Sequence, residues 1–287
     1  MTDAERGSLR VMAVSFLNAL PLIHRLPAVA GARVELACDL PSRLAGRLAG
    51  GEADLALLPV VESFRGPRGA VMFGFGIACN GPVASVKLFC RGRVEDMTIV
   101  LADRGSRTSV ALLRVLLAER YGLRPRFRDH EPRPRSLPEA GQGMLVIGDR
   151  CFAFDRRLRE AGETDVTVLD LGEAWFEATG LPFVFATWAA APALVRRCGR
   201  EGLQDLSGLL GTALDQGLER LDEICRQQAT AGMLGHGGEA SVRAIDYYLR
   251  RCLHFRLAES DLDGMRLFQR KCIEHGLVPD APFPDVV

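Results

Sequence analysis

Short, almost continuous apolar runs constrain this chain most. RVMAVSF (10–16), EADLALLPVV (52–61), MTIVLA (97–102), MLVIG (144–148) and LPFVFATWAA (181–190) are each too short for a buried helix. Runs of that length without polar alternation suit strands covered on both faces. Helical patterns lie between them. PSRLAGRLAGG (41–51) carries Leu44 and Leu48 four apart and ends on glycine. The segment 106–121 repeats its apolar positions at 110, 113, 117 and 121 before Gly122. GARVELACDL (31–40), the helix at 41–51 and the run at 52–61 make a strand–helix–strand unit, the signal of a parallel sheet.

The sequence therefore predicts an α/β protein of two successive α/β units and a helical tail. DVTVLDL (165–171) reads as a strand leading into the helix GEAWFEATG. RFRDHEPRPRSLPEAGQG (126–143), rich in proline and charge, reads as a surface loop. From about residue 200 three or more amphipathic helices follow, and GHGG (235–238) reads as a turn between two of them. The 287 residues are enough for a large core.

Lysine plus arginine and aspartate plus glutamate number 36 each, so no net charge attracts nucleic acid or an anionic membrane. No run approaches the roughly 18 apolar residues of a membrane span. The first run reads as a strand rather than a leader, because Asp3, Glu5, Ser15, Asn18 and Pro21 interrupt a signal-like pattern. Eight cysteines without CxxC pairs or histidine clusters fit reduced, mostly buried thiols of a cytoplasmic protein.

Ligands of parallel α/β sheets bind at the carboxyl ends of strands. That rule selects 15–21, 58–63, 103–109 and 148–152, with the glycine–proline turn near 80–86. Within them Ser106, Arg107, Thr108 and Ser109 open a helix. A helix N-terminus has unpaired N–H groups and partial positive charge, so hydroxyls and a guanidinium there suit a carboxylate or phosphate. The competing reading is a capped helix with a solvated arginine. Asn18, Ser85, Gly148 and Asp149 are the other candidates. Asn18 also suits a turn, Ser85 an ordinary strand and Asp149 a helix cap. Walker, GxGxxG, GxSxG, HExxH and zinc-ligand patterns are absent, and the histidines (24, 130, 236, 254, 275) fall outside these segments.

SFLNALPL (15–22), GEADLALLPVVE (51–62), NGPVASVKLF (80–89), SRTSVALLRVLL (106–117), MLVIGD (144–149) and LDLGEAWFEATGLPFVFATW (169–188) together resemble the menaquinone-biosynthesis family of the futalosine pathway. The branch that dehydrates chorismate is the most similar. Phe16 departs from the family pattern, which often has tyrosine before Leu-Asn.

The resemblance implies a two-lobed type II periplasmic-binding-protein-like fold, with a ligand cleft between the lobes and C-terminal helices returning to the first. The expected division is 1–92 with 190–287, and 93–189. It also implies a cytoplasmic enzyme with chorismate as substrate, without metal or organic cofactor. The product would be 3-[(1-carboxyvinyl)oxy]benzoate. Asn18 would be catalytic, and Ser85, Ser106–Ser109, Gly148 and Asp149 would bind substrate. The alternatives are the sister dihydroxynaphthoate synthase and a solute-binding protein without chemistry.

Overall fold

The computed structural model describes residues 8–65, 69–133, 137–234 and 237–287. Its first lobe opens on β1 (Leu9–Val14), whose last four residues are buried. A 3₁₀ turn, α1 (Leu20–Ile23) and α2 (Leu26–Ala30) lead to β2 (Val34–Asp39). The helix α3 (Pro41–Ala49) starts on proline at its first position, where a missing N–H costs nothing. It buries Leu44, Ala45 and Leu48. Then follow β3 (Leu55–Pro59), buried throughout, α4 (Val60–Ser63) and β4 (Ala70–Cys79).

The chain crosses at 80–85 into the second lobe. There it forms β5 (Val86–Arg91), β6 (Ile99–Asp103), α5 (Thr108–Tyr121), β7 (Arg126–His130), β8 (Gln142–Ile147), α6 (Arg150–Ala161), β9 (Val166–Asp170) and α7 (Leu171–Thr179). It crosses back at 180–182 into β10 (Phe183–Ala190). The tail is α8 (Pro192–Glu219), α9 (Leu221–Thr230), α10 (Glu239–Tyr247), β11 (His254–Arg256) and α11 (Glu259–Glu274). It covers the first lobe: α8 packs on α1 and α2, β11 pairs with β4, and α11 lies on β10.

The two sheets follow one plan. The first runs β11-β4-β10-β3-β1-β2, and the second runs β7-β6-β8-β5-β9. Each holds three parallel strands, and the strand next to them is antiparallel and has just arrived from the other lobe. That plan corrects the expected division. The strand at 86–91 belongs to the second sheet and the strand at 183–190 to the first, so the crossings precede these strands rather than following them at 92/93 and 189/190. The helical tail begins at Pro192, and a non-helical Gly199 at φ +61° breaks α8, so that its long second part starts near 200 as expected.

Part of the loop read at 126–143 is also strand. Arg126–His130 forms β7, parallel to β6 at the sheet edge. Edge strands tolerate charge because one side is wet, and Arg114 stacks over Phe127 at 3.8 Å. Residues 134–136 of that loop, and 235–236 of the GHGG turn, lie outside the described residues. Among the described residues no helix is long and apolar enough to cross a membrane.

Both crossings are anchored. The Asp170 carboxylate accepts N–H bonds from Val83 and Ala84 at 3.0 and 2.7 Å. It also caps α7 through Gly172 and Glu173. At the return, Trp175 Nε1 donates to the Pro182 carbonyl at 3.2 Å, and its ring packs edge-on against Phe183 and Phe268. The helix α5, with eight of fourteen residues buried, packs between α4, α7 and α11. Burying each of its leucines contributes about 1.5–3 kcal/mol over leaving it exposed.

Candidate active site

A cleft of about 540 Å³, its mouth included, opens where the carboxyl ends of β1, β3, β6 and β8 meet the crossing at 83–86. Its walls come from both lobes. Val14, Ile77 and Phe185 supply apolar surface from the first lobe, Val86 and Ile147 from the second. Of the residues expected at a site, Asn18, Ser85, Ser106, Arg107, Thr108, Ser109 and Gly148 all line it. Asp149 does not.

The start of α5 forms part of the wall. Its N-cap is Arg107, and no side chain caps the helix. The first intrahelical bond runs from Ala111 N–H to the Arg107 carbonyl, so the N–H groups of Thr108, Ser109 and Val110 precede it. These groups concentrate the positive end of the helix dipole at the cleft wall. The Ser106 hydroxyl is buried there without a partner. A buried polar group without a partner costs free energy, and a ligand carboxylate would relieve it. Ser109 is buried beside it, and Arg107 is exposed at the rim.

Thr108 is different. Its hydroxyl accepts from Val61 N–H and donates to the Phe185 carbonyl, both at 3.3 Å. Both partners are in the first lobe, so this hydroxyl joins lobes rather than standing free for a ligand. Thr108 still lines the cleft, so what it offers a ligand there is its backbone N–H rather than this hydroxyl.

Asn18 and Ser85 line the cleft as a second polar group. The Asn18 Oδ1 is buried with no partner. Ser85 is fully buried, and its carbonyl accepts from Gly148 N–H at 2.8 Å. Its hydroxyl oxygen accepts from the Tyr248 hydroxyl at 2.7 Å. The preceding residue, Ala84, has φ +62°, a left-handed conformation that a side chain disfavours. The Asp170 bonds to Val83 and Ala84 hold it there.

Gly148 has φ +67°, and a Cβ on it would meet the Phe16 ring at 3.0 Å. The aromatic residue that departs from the family pattern thus forms the ceiling over this glycine. Asp149 sits at the N-cap of α6 but makes no capping bond, contrary to the simpler expectation. Its two carboxylate oxygens instead accept from Leu17 N–H of the first lobe, each at 3.3 Å. Burial pushes the Asp149 carboxyl up to about 6, against the opposing pull of the Leu17 N–H and Arg150. Asp103, at the end of β6, is raised by burial as well, with the Gly105 N–H and then Arg150 opposing.

Two residues that organise the cleft, Asp170 and Tyr248, were not among the expected ones. An Asp before LGEAW is a helix-cap signature, so the sequence carried a signal for the first. Tyr248 comes from the tail, and nothing in DYYLRRC points to a cleft on another element. Among the described residues, no three His, Cys, Asp or Glu side chains converge as metal ligands do.

A family model described as menaquinone biosynthesis matches residues 9–274. The chain belongs to that family. A chorismate dehydratase of Thermus thermophilus is 33% identical over 264 residues, 88% of this chain and 91% of that protein. In structure, a Candida albicans protein described as having the generic periplasmic binding protein fold superimposes with a TM-score of 0.64. That match has 11% identity and covers 96% of this chain and 92% of the other. The periplasmic aliphatic sulphonate binding protein of Escherichia coli gives 0.61 at 16% identity, covering 97% and 90%. The fold of this family member is therefore the two-lobed periplasmic-binding-protein-like one, with the cleft at its lobe junction.

Proposed function

We propose that the chain is a chorismate dehydratase, eliminating water from chorismate to give 3-[(1-carboxyvinyl)oxy]benzoate on the futalosine route to menaquinone. The observation that carries this reading is the 33% identity, over nearly the full length of both chains, to a relative of that name. The cleft's chemistry supports it. Chorismate has two carboxylates, and the protein has no net charge to attract them. Local donors must hold them instead. The start of α5, with Ser106 and Ser109, lines the cleft, and so do Asn18 and Ser85.

The reaction removes the proton at C3 and the hydroxyl at C4. Charge developing at C3 spreads through the ring double bonds to the ring carboxylate. The N–H groups of α5 stabilise that charge if this carboxylate lies there. The enolpyruvyl carboxylate, held beside Asn18, takes the proton and passes it to the departing C4 hydroxyl, which leaves as water. Holding base and proton in one bound molecule replaces an encounter by geometry, which supplies much of the rate. Asp149 is a poorer base, because it lies outside the cleft lining and both its oxygens face Leu17 N–H. The enzyme would be a carbon–oxygen lyase. We place it in the cytoplasm, consistent with eight cysteines that form no disulfide.

Tag-free protein incubated with chorismate, followed by mass spectrometry, tests the reading. It calls for an aromatic product lighter by one water. Chorismate recovered intact sinks it and turns attention to the sister reaction or to simple ligand binding.

A further inference from the structure

Tyr248 opens a π-helical turn, Tyr248–Cys252, at the end of α10. Such turns are rare and gather at functional sites. This one inserts a side chain of the C-terminal tail between the lobes. The ring is 1% exposed and meets Phe152 of α6 edge-on, with centroids 5.1 Å apart. The hydroxyl ends 2.7 Å from Ser85 Oγ. Burial dominates and keeps the phenol protonated, against the hydrogen bond with Ser85; the nearby Asp149 charge acts with burial, and Asn18 weakly against it. Tyr248 is therefore a hydrogen-bond donor through the neutral range.

A serine hydroxyl has one proton and two lone pairs. When Tyr248 donates to Ser85 Oγ, it occupies a lone pair, and the serine's own proton is directed elsewhere. Ser85 lines the cleft, and its backbone is fixed by the Gly148 N–H bond to its carbonyl. The open direction is the cleft. We propose that Tyr248 is a positioning residue, whose donation to Ser85 Oγ turns the serine proton toward the substrate carboxylate beside Asn18. This rests on the dehydration reading above and adds a residue from the tail to its machinery.

Steady-state kinetics with chorismate test the assignment on wild type, Y248F, S85A and the double variant, with thermal midpoints measured alongside. Y248F keeps the ring and loses only the donor. A misaligned carboxylate base lowers kcat more than binding, so kcat falls by about tenfold while KM moves by less than about threefold. S85A loses at least as much, and the double variant is no slower than S85A alone, because Tyr248 acts through Ser85. A merely structural tyrosine would lower the midpoint and multiply its effect with that of S85A. Wild-type kcat in Y248F, or losses that multiply in the double variant, overturns the proposal. Wild-type kcat in S85A also overturns it, whether or not Y248F folds. If wild-type protein leaves chorismate unchanged, the dehydration reading falls and this assignment with it. Turnover by wild type with an unaffected Y248F removes the assignment alone.

Discussion

Asp149 of the second lobe and Leu17 of the first join the two lobes directly, the Leu17 nitrogen donating to the carboxylate from 3.3 Å of each oxygen. The same carboxyl is raised by burial to about 6. One residue thus joins the lobes and titrates near neutrality.

Because its folded value exceeds the ordinary one, the folded state takes up this proton more readily than the unfolded chain. The stability contributed by that uptake is fully present below about pH 4 and is lost as pH rises through about 6. Asp149→Asn keeps an acceptor for Leu17 N–H and removes the buried charge. Urea unfolding of both proteins at pH 5 and 7.5 is the check: the variant's gain in stability over wild type at 7.5 shrinks to about half at 5. An equal difference at both values contradicts the titration.

The hydroxyls at the start of α5 divide into two kinds. Ser106 Oγ has no partner, and Thr108 Oγ1 has two in the other lobe. Ser106→Ala therefore costs no stability and, by removing a buried hydroxyl without a partner, raises the unfolding free energy. It weakens chorismate binding by roughly fivefold to tenfold, the worth of one hydrogen bond. Thr108→Val does the opposite, losing about 1–2 kcal/mol of stability. Denaturant titration and calorimetric binding on the two variants separate the roles, and matching profiles would refute the division.

Gly148→Ala introduces a Cβ at φ +67° and against the Phe16 ring. The conformation alone costs about 1 kcal/mol. Phe16 must also shift, and it lines the cleft. The expected result is a modest fall in melting temperature with a much larger loss of chorismate turnover. Turnover at the wild-type rate would mean that Phe16 does not shape the site.

Asp170 accepts four backbone N–H bonds, two from the crossing and two from α7. Asp170→Ala removes a helix cap and frees Ala84 from its left-handed conformation, at a cost of about 2–4 kcal/mol. Hydrogen exchange then speeds at the amides of residues 83–85. Unchanged exchange there would show that the crossing is held by something else.

The sequence revealed this site where it obeys the strand-end rule. Asn18 follows β1, Ser106–Ser109 follow β6 and Gly148 follows β8, so a list of strands located them. β3 and β10 were readable because both faces are buried and their residues run apolar without interruption. β7 was not, because an edge strand written RFRDH has the composition of a loop. The lobe boundaries were missed for a different reason: a strand that changes sheets is as apolar as one that stays. Nor does sequence say which hydroxyl is already occupied, as Thr108 is. Tyr248 reaches Ser85 from 163 residues away, and only the return of the tail brings them together.

The most direct test of the account is turnover of chorismate in large molar excess over the protein, followed by its ultraviolet spectrum. The account predicts many equivalents of the aromatic enol ether per protein molecule, with the chorismate spectrum lost. Chorismate bound one-to-one and recovered unchanged would contradict it and leave a two-lobed binding protein without chemistry.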